Sequence, residues 1–74
     1  MPTIKQFADC RIVIYFDDHD PPHFHVITSD RREAIVRISD CEVLTGLAAR
    51  EFAEAHAWAM ANRELLLARW KEFN

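Results

Sequence analysis

The hydrophobic pattern of this chain changes its period at Gly46, and that change constrains the fold class most strongly. Before Gly46, apolar and polar residues alternate in 23–28 and in 33–38, the period of strands with one buried face. After it, apolar residues recur at helical steps of three, four or seven, at Ala48, Phe52, Ala55, Ala59, Leu66, Trp70 and Phe73. The pattern predicts an α+β fold, with a sheet in 1–45 and a helical region in 47–73.

The sheet is predicted to be a three-stranded antiparallel β-meander. CRIVIYF at 10–16 is an unbroken β-branched and aromatic run, typical of a strand that is covered on much of both faces. HFHVIT at 23–28 and EAIVRI at 33–38 have the spacing of a hairpin, joined by a polar turn of about four residues. A short fourth strand or a turn is expected at 42–44.

The helical region leaves two arrangements open. One helix from 48 to 72 would be about 37 Å long, whereas strands of six or seven residues span about 20–23 Å. Either the helix breaks near Asn62, a reasonable N-cap for a second helix on the same face of the sheet, or its end packs on another chain. The apolar residues of this end suit both a core and an interface with a homodimer or partner helix: Leu65, Leu66, Leu67, Trp70 and Phe73.

Length, charge and cysteine content narrow the functional classes. The 74 residues are enough for a single domain, 1–74. The formal charge of −3 makes direct DNA binding unexpected, because nucleic-acid binders usually carry a basic excess. Cys10 and Cys41 form no C-x-x-C pair, so we expect two buried, reduced thiols. The chain shows no leader-like apolar run and no stretch of membrane-spanning length, which predicts a cytoplasmic protein without a membrane partner.

The segment DDHDPPHFHV at 17–26 holds three of the four histidines and two of the three prolines. On a strand, His23 and His25 project from the same face with their Cα atoms about 7 Å apart. Two imidazoles placed in this way can bind one transition metal such as Zn, and His19 is the third candidate ligand. Carboxylates that can complete the set across the turn come from Asp17, Asp18 or Asp20.

The same segment is suited to proton chemistry. Histidine titrates near neutrality and is the usual general acid or base, so His23, His25 and an orienting Asp20 are the candidate catalytic residues. A metal-free ribonuclease also needs a basic group for the phosphate, and the neighbouring strand and turn offer Arg31, Arg32 and Arg37. A purely structural role is equally open, in which acids and prolines build a rigid turn and the histidines bond its carbonyls. Both an enzyme and a non-catalytic protein are compatible with this segment.

The sequence resembles a bacterial family, the domain of unknown function 4160. The resemblance rests on MPTI at the start, on Y-F-x(2)-H-x-P-P-H-x-H-V at 15–26 and on NRELLLARW at 62–70. It covers nearly the whole chain and implies that Pro21, Pro22, His23 and His25 belong to the family pattern. Family members are small stand-alone proteins, often encoded beside another small protein, and they have been suggested as toxin–antitoxin components. The resemblance brings no catalytic residue set with it.

Two classes of function follow as hypotheses. The first is a small protein-interaction module, one component of a toxin–antitoxin-like pair, which binds a small protein partner or a second copy through its C-terminal helix. The alternative is an RNA-directed hydrolase or a metal-binding protein that uses the cluster of His23 and His25.

Overall fold

The computed structural model describes residues 3–16 and 18–74, so Asp17 and the first two residues of MPTI lie outside the described residues. The described residues form a five-stranded antiparallel sheet in the order β1-β2-β3-β4-β5, a meander, followed by two helices. The strands are β1 Thr3–Gln6, β2 Cys10–Val13, β3 His23–Thr28, β4 Glu33–Arg37 and β5 Val43–Thr45. The predicted α+β class is confirmed.

The sheet has one strand more than the sequence pattern indicates. β1 was not predicted, and it pairs with β2 through Thr3, Lys5 and Gln6. Three of its four residues are exposed, so no alternation marks it, and only pairing with β2 makes it a strand. β2 is shorter than predicted, because the regular strand ends at Val13. β5 lies where a short additional strand was expected.

The core lies between one face of the sheet and the helices. Alternation points Ile12, Phe24, Val26 and Val36 to this face, where all four are fully buried. The helical side of the core consists of Phe52, Ala55, Ala59, Leu66 and Trp70. Small alanines on the helix allow it to approach the sheet closely, and the large side chains fill the two ends.

The helical region consists of a 3₁₀ turn, Ala49–Phe52, and two helices, α1 Ala53–Ala61 and α2 Arg63–Phe73. They are separated at Asn62, whose backbone is non-helical with φ −127° and ψ 31°, so the predicted break is real. Its chemistry is different from the expected N-cap. The Nδ2 atom of Asn62 donates to the carbonyl of Trp58 at 2.8 Å and thereby closes α1. No helix in the described residues is both long and apolar enough to cross a membrane.

The apolar end of the chain is divided between core and surface. Leu66 and Trp70 are buried against the sheet at 0% and 5% exposure, whereas Leu65 and Leu67 on the same helix are 40% and 37% exposed. Core packing therefore accounts for the central residues of this segment. The two leucines beside them remain available to solvent.

Both cysteines are free and buried, as the sequence analysis expected. Burial raises the pKa of the Cys10 and Cys41 thiols, which keeps them protonated at neutral pH. They therefore behave as small apolar core residues.

Candidate metal centre

Strand β3 places two histidines side by side. His23 and His25 alternate with the core residues Phe24 and Val26, so their rings leave the core face together. The ring centroids are 5.2 Å apart. The sequence spacing therefore translates directly into two neighbouring imidazoles at one end of the sheet.

Asp18 approaches both rings from the loop between β2 and β3. Its Oδ2 atom lies 2.9 Å from Nε2 of His23 and 3.4 Å from Nε2 of His25. One possible ligand atom from each of the three residues lies within 4.8 Å of the others. In tetrahedral zinc sites with bonds of about 2.0–2.1 Å, neighbouring ligand atoms are roughly 3.3 Å apart. The two distances from Asp18 Oδ2 to the histidine nitrogens are already close to this spacing.

The carboxylate of Asp18 is held in place by the backbone and by the end of the chain. The N–H of His19 donates to Asp18 Oδ1 at 3.0 Å, and the N–H of Asp18 donates to Oδ1 of Asn74. Asn74 in turn donates through Nδ2 to the carbonyl of Trp70 at 3.1 Å. The last residue of the chain, just after α2, therefore fixes the loop that carries Asp18.

Asp18 is ionised at neutral pH. Burial raises the pKa of its carboxyl group, but the backbone hydrogen bond from His19, together with the positive charge and the hydrogen bonds of protonated imidazoles, lowers it by more, so the pKa lies below its usual range. The side chain is only 16% exposed. A partly buried carboxylate that is ionised at neutral pH carries the negative charge that a ligand for a cation needs.

The far nitrogens of both imidazoles are occupied. Nδ1 of His23 lies 2.7 Å from the carbonyl oxygen of Pro21, and Nδ1 of His25 lies 2.8 Å from Oε2 of Glu33. A carbonyl and a carboxylate only accept hydrogen bonds, so each Nδ1 carries the hydrogen. In neutral rings, the Nε2 atoms therefore carry a lone pair and no hydrogen. Both lone pairs are directed at the carboxylate of Asp18, which also only accepts hydrogen bonds.

When both rings are neutral, three electron-pair donors thus converge on one point, and they repel each other unless a positive charge lies between them. A metal ion provides that charge and uses all three lone pairs. The contacts at Nδ1 are the partners that metal-bound histidines usually have, a backbone carbonyl or a carboxylate that orients the ring. The only other source of positive charge inside the cluster is a proton on one or both imidazoles, which makes an ion pair with Asp18.

Aromatic side chains shield the cluster on two sides. Trp70 lies 5.0 Å from the ring of His23, and Tyr15 lies 4.6 Å from the ring of His25, measured between centroids. The histidine side chains are 7% and 12% exposed. A weakly hydrated site of this kind strengthens the attraction between the three ligands and a cation.

On the side of Asp18 the cluster borders an open groove of about 540 Å³. The groove is lined by Asp18, His19, Asp20, Trp70, Lys71 and Asn74. Solvent and small molecules can therefore approach the carboxylate, while the aromatic walls protect the rings. This combination leaves room for a further ligand that does not come from the described residues.

The structure separates the residues that the sequence had grouped together. His23 and His25 lie in the cluster. The side chain of His19 is 92% exposed, and its Nδ1 contacts the other oxygen of Asp18 at 3.3 Å, outside the three-atom cluster. Asp20 lies exposed in the turn, whereas Asp18 approaches the histidines. Asp17 lies outside the described residues.

Glu33 and Asn74 were missed in the sequence analysis. A signal for Glu33 existed, because the four-residue turn of the hairpin pairs it with Ile27, two positions from His25 on the same face. No signal existed for Asn74, which reaches the loop only through the packing of α2. The structural role weighed from the sequence is present as well, since His23 bonds the carbonyl of Pro21.

Two of the three arginines considered as phosphate ligands are paired with carboxylates. Arg32 contacts Asp30 and Glu51 at 2.9 Å each. Arg37 is held by two further carboxylates, Asp40 at 2.7 Å and Glu42 at 2.6 Å. Arg31 forms no ion pair with any described residue.

We predict that Glu33→Ala weakens metal binding about 10- to 100-fold, the usual effect of removing the partner of a ligating histidine. Glu33 is exposed and lies outside the core, so the variant should remain folded. A competition titration with a chromophoric zinc chelator measures the change. Glu64→Ala, an exposed glutamate at the start of α2, is the control and should leave the affinity unchanged. Equal affinity of both variants would contradict an orienting role for Glu33.

The fold and the cluster define a class: a small α+β protein with a two-histidine, one-aspartate cluster at the end of an antiparallel sheet. The sequence matches the domain of unknown function DUF4160 over residues 10–71, and the chain belongs to this family. The matched region contains the whole cluster and Glu33. Neither the curated proteins nor the solved structures contain a significant match to the chain.

Proposed function

We propose that this protein binds one divalent transition-metal ion, with zinc as the leading candidate, through Asp18, His23 and His25. The observation that carries the proposal is the convergence of three electron-pair donors with both Nδ1 atoms already bonded to acceptors. Imidazole and carboxylate ligands suit Zn, Fe, Ni or Cu better than Ca. The proposal refines the metal-site hypothesis from the sequence by replacing His19 with Asp18.

The ligand set supports a catalytic metal site over a purely structural one. Structural zinc sites usually have four protein ligands, whereas two histidines and one carboxylate with an open position are typical of catalytic sites. The groove beside Asp18 lets water or a substrate approach the ligand set from the side of the carboxylate. A zinc ion held by these residues would lower the pKa of a bound water to about 7, so hydrolysis is the chemistry that this arrangement favours. Lys71 at the groove adds a positive charge that suits an anionic substrate.

The competing reading of the same geometry is a metal-free acid–base site. There, an imidazolium of His23 or His25 pairs with Asp18, and the pair transfers protons to a substrate in the groove. Because the two readings use the same residues, activity of variants alone does not separate them. Stoichiometric metal binding does.

The test is a titration of tag-free protein with Co²⁺, whose visible absorption reports the ligand set, combined with elemental analysis. Wild type and His19→Gln should each bind one ion per molecule with the same spectrum. Asp18→Asn, His23→Gln and His25→Gln should each weaken binding at least about 10-fold. Absence of stoichiometric binding by wild type, or an equal loss in His19→Gln, would contradict the proposal.

A second candidate function is the interaction module, a component of a toxin–antitoxin-like pair. It is supported by apolar side chains that the described residues leave uncovered on the helices: Met60 at 55%, Leu65 at 40% and Leu67 at 37% exposure. Met60 and Leu65 line one shallow groove at the junction of α1 and α2. Light scattering tests self-association through this surface: a dimer that becomes a monomer in Met60→Glu or Leu65→Glu supports it. The interaction function is contradicted if the wild type is a monomer and also fails to bind a small protein encoded beside it when the two are co-expressed.

A further inference from the structure

A second cavity lies at the end of strands β2 and β3 that is opposite the cluster of Asp18, His23 and His25. It has a volume of about 300 Å³ and lies between the loop that joins β1 to β2 and the turn that joins β3 to β4. Its polar lining consists of Gln6, Asp9, Arg11, Thr28, Ser29 and Arg31. The two loops are tied together, since the N–H of Ser29 donates to the carbonyl of Asp9 at 2.9 Å. The cavity is therefore framed by fixed backbone.

Arg11 has an unusual environment in this cavity. Its Nε atom is buried, and among the described residues no hydrogen-bond acceptor contacts it. A buried donor without an acceptor costs about 1–3 kcal/mol, and more when the group is charged. The terminal Nη atoms of Arg11 are not buried in this way, so they are the part of the guanidinium that a ligand in the cavity can reach.

Arg31, an exposed residue, also lines this cavity. Its backbone adopts φ 67°, a left-handed conformation, in the tight turn after β3. Arg32, Arg37 and Arg69 all contact carboxylates, whereas Arg11 and Arg31, like Arg50 and Arg63, form no ion pair with any described residue. What distinguishes Arg11 and Arg31 is that both line the same cavity, together with Asp9.

We propose that Arg11 and Arg31 bind a phosphate group in this cavity. The planar guanidinium matches the oxygens of phosphate with pairs of parallel hydrogen bonds, and two of them neutralise a doubly charged monoester. Ser29 offers a hydroxyl donor at the same place. The negative formal charge of the chain and the carboxylate of Asp9 favour a single phosphate group over a long polyanion.

One side of the cavity and the histidines of the cluster lie on the same face of the sheet. Arg11 pairs with Ile27 across the β2–β3 ladder, and Ile27 lies two positions from His25 on the same face. Two residues of a strand span about 7 Å, so Ile27 lies near His25, whereas His23 and Asp18 lie farther from the cavity, toward the other end of the strands. The phosphate subsite itself does not depend on the metal proposal.

The test measures binding of inorganic phosphate to tag-free protein in chelator-treated buffer, by amide chemical-shift changes at constant ionic strength. Wild type should show saturable shifts in the cavity residues. Arg11→Met, which keeps the apolar stem, and Arg31→Gln should each weaken phosphate at least about 10-fold. Arg69→Gln removes the same charge from α2 and should change the affinity less than about twofold. Asp18→Asn should bind phosphate like wild type, which separates this subsite from the metal centre.

Three results would overturn the subsite. These are an absence of saturable shifts in wild type, an equal loss in Arg69→Gln, and an equal response to chloride. If Arg11→Met fails to fold, the exposed Arg31→Gln and the charge-conserving Arg11→Lys carry the test, with Arg11→Lys expected to lose part of the affinity. A parallel titration with a short 5′-phosphorylated RNA identifies the source of the phosphate. If the RNA binds more tightly than inorganic phosphate, the phosphate group belongs to a nucleic acid. If the two bind equally, it belongs to a small ester.

Discussion

Saturating zinc should raise the free energy of unfolding of this protein by about 2.7 kcal/mol at a free concentration 100 times Kd, because the ion binds the folded chain preferentially. The three ligands come together only through folding: two lie on β3 and the third lies in a loop fixed by the end of the chain. For a domain of this size, such a gain corresponds to an increase in Tm on the order of 10–20 °C. Thermal unfolding followed by circular dichroism, with and without zinc, measures it.

The ligand variants make this prediction specific. Asp18→Asn replaces the carboxylate with an amide of the same shape and should lose most of the zinc-dependent stabilisation. His19→Gln should keep all of it, because His19 lies outside the three-atom cluster. An equal Tm of wild type with and without zinc would contradict a site formed by folding. A shift that survives in Asp18→Asn would place the ion elsewhere.

Leu66→Ala is expected to lower the free energy of unfolding by about 2–5 kcal/mol. Leu66 is fully buried between α2 and the sheet, so its truncation removes buried apolar surface and leaves a cavity. A 74-residue domain has a total free energy of unfolding of roughly 4–11 kcal/mol, so the variant should lose a large part of its stability. Urea denaturation monitored by tryptophan fluorescence determines the change.

The matched control is Leu65→Ala, the same truncation one position earlier on the same helix. Leu65 is 40% exposed, and its loss should cost less than about 1 kcal/mol in the monomer. Similar costs for the two variants would mean that α2 does not pack on the sheet by the face described here. If Leu65→Ala strongly lowers the free energy of unfolding only at high protein concentration, a second chain covers that surface.

The fold was predictable where periodicity is strong. The two-residue alternation of β3 and β4 and the helical stripe from Phe52 to Trp70 both predict the observed core. β1 carries no such signal, because a short strand with mostly exposed side chains depends on its partner for its conformation. The break at Asn62 was predictable from helix length, but not its mechanism, since the side chain bonds backwards to Trp58.

The candidate site was predictable only in its strand half. Alternation alone places His23 and His25 together, because both belong to a regular strand. The third ligand comes from an irregular loop. Adjacent residues of such a loop point in unrelated directions, so their spacing in the sequence does not predict which side chains meet. Asp18 was selected over His19 and Asp20 by contacts with the end of the chain, through Asn74. Such contacts depend on the complete tertiary fold.

The most direct test of the central claim is a crystal structure of tag-free protein grown with zinc or cobalt, with anomalous data collected at the absorption edge of the metal. A single strong peak is expected about 2.0–2.2 Å from Asp18 Oδ2 and from Nε2 of His23 and His25. Both Nδ1 atoms should retain their bonds to Pro21 and Glu33. A map without a peak between these three side chains, or with a peak held by His19 or by Nδ1 atoms, would contradict the metal centre described here.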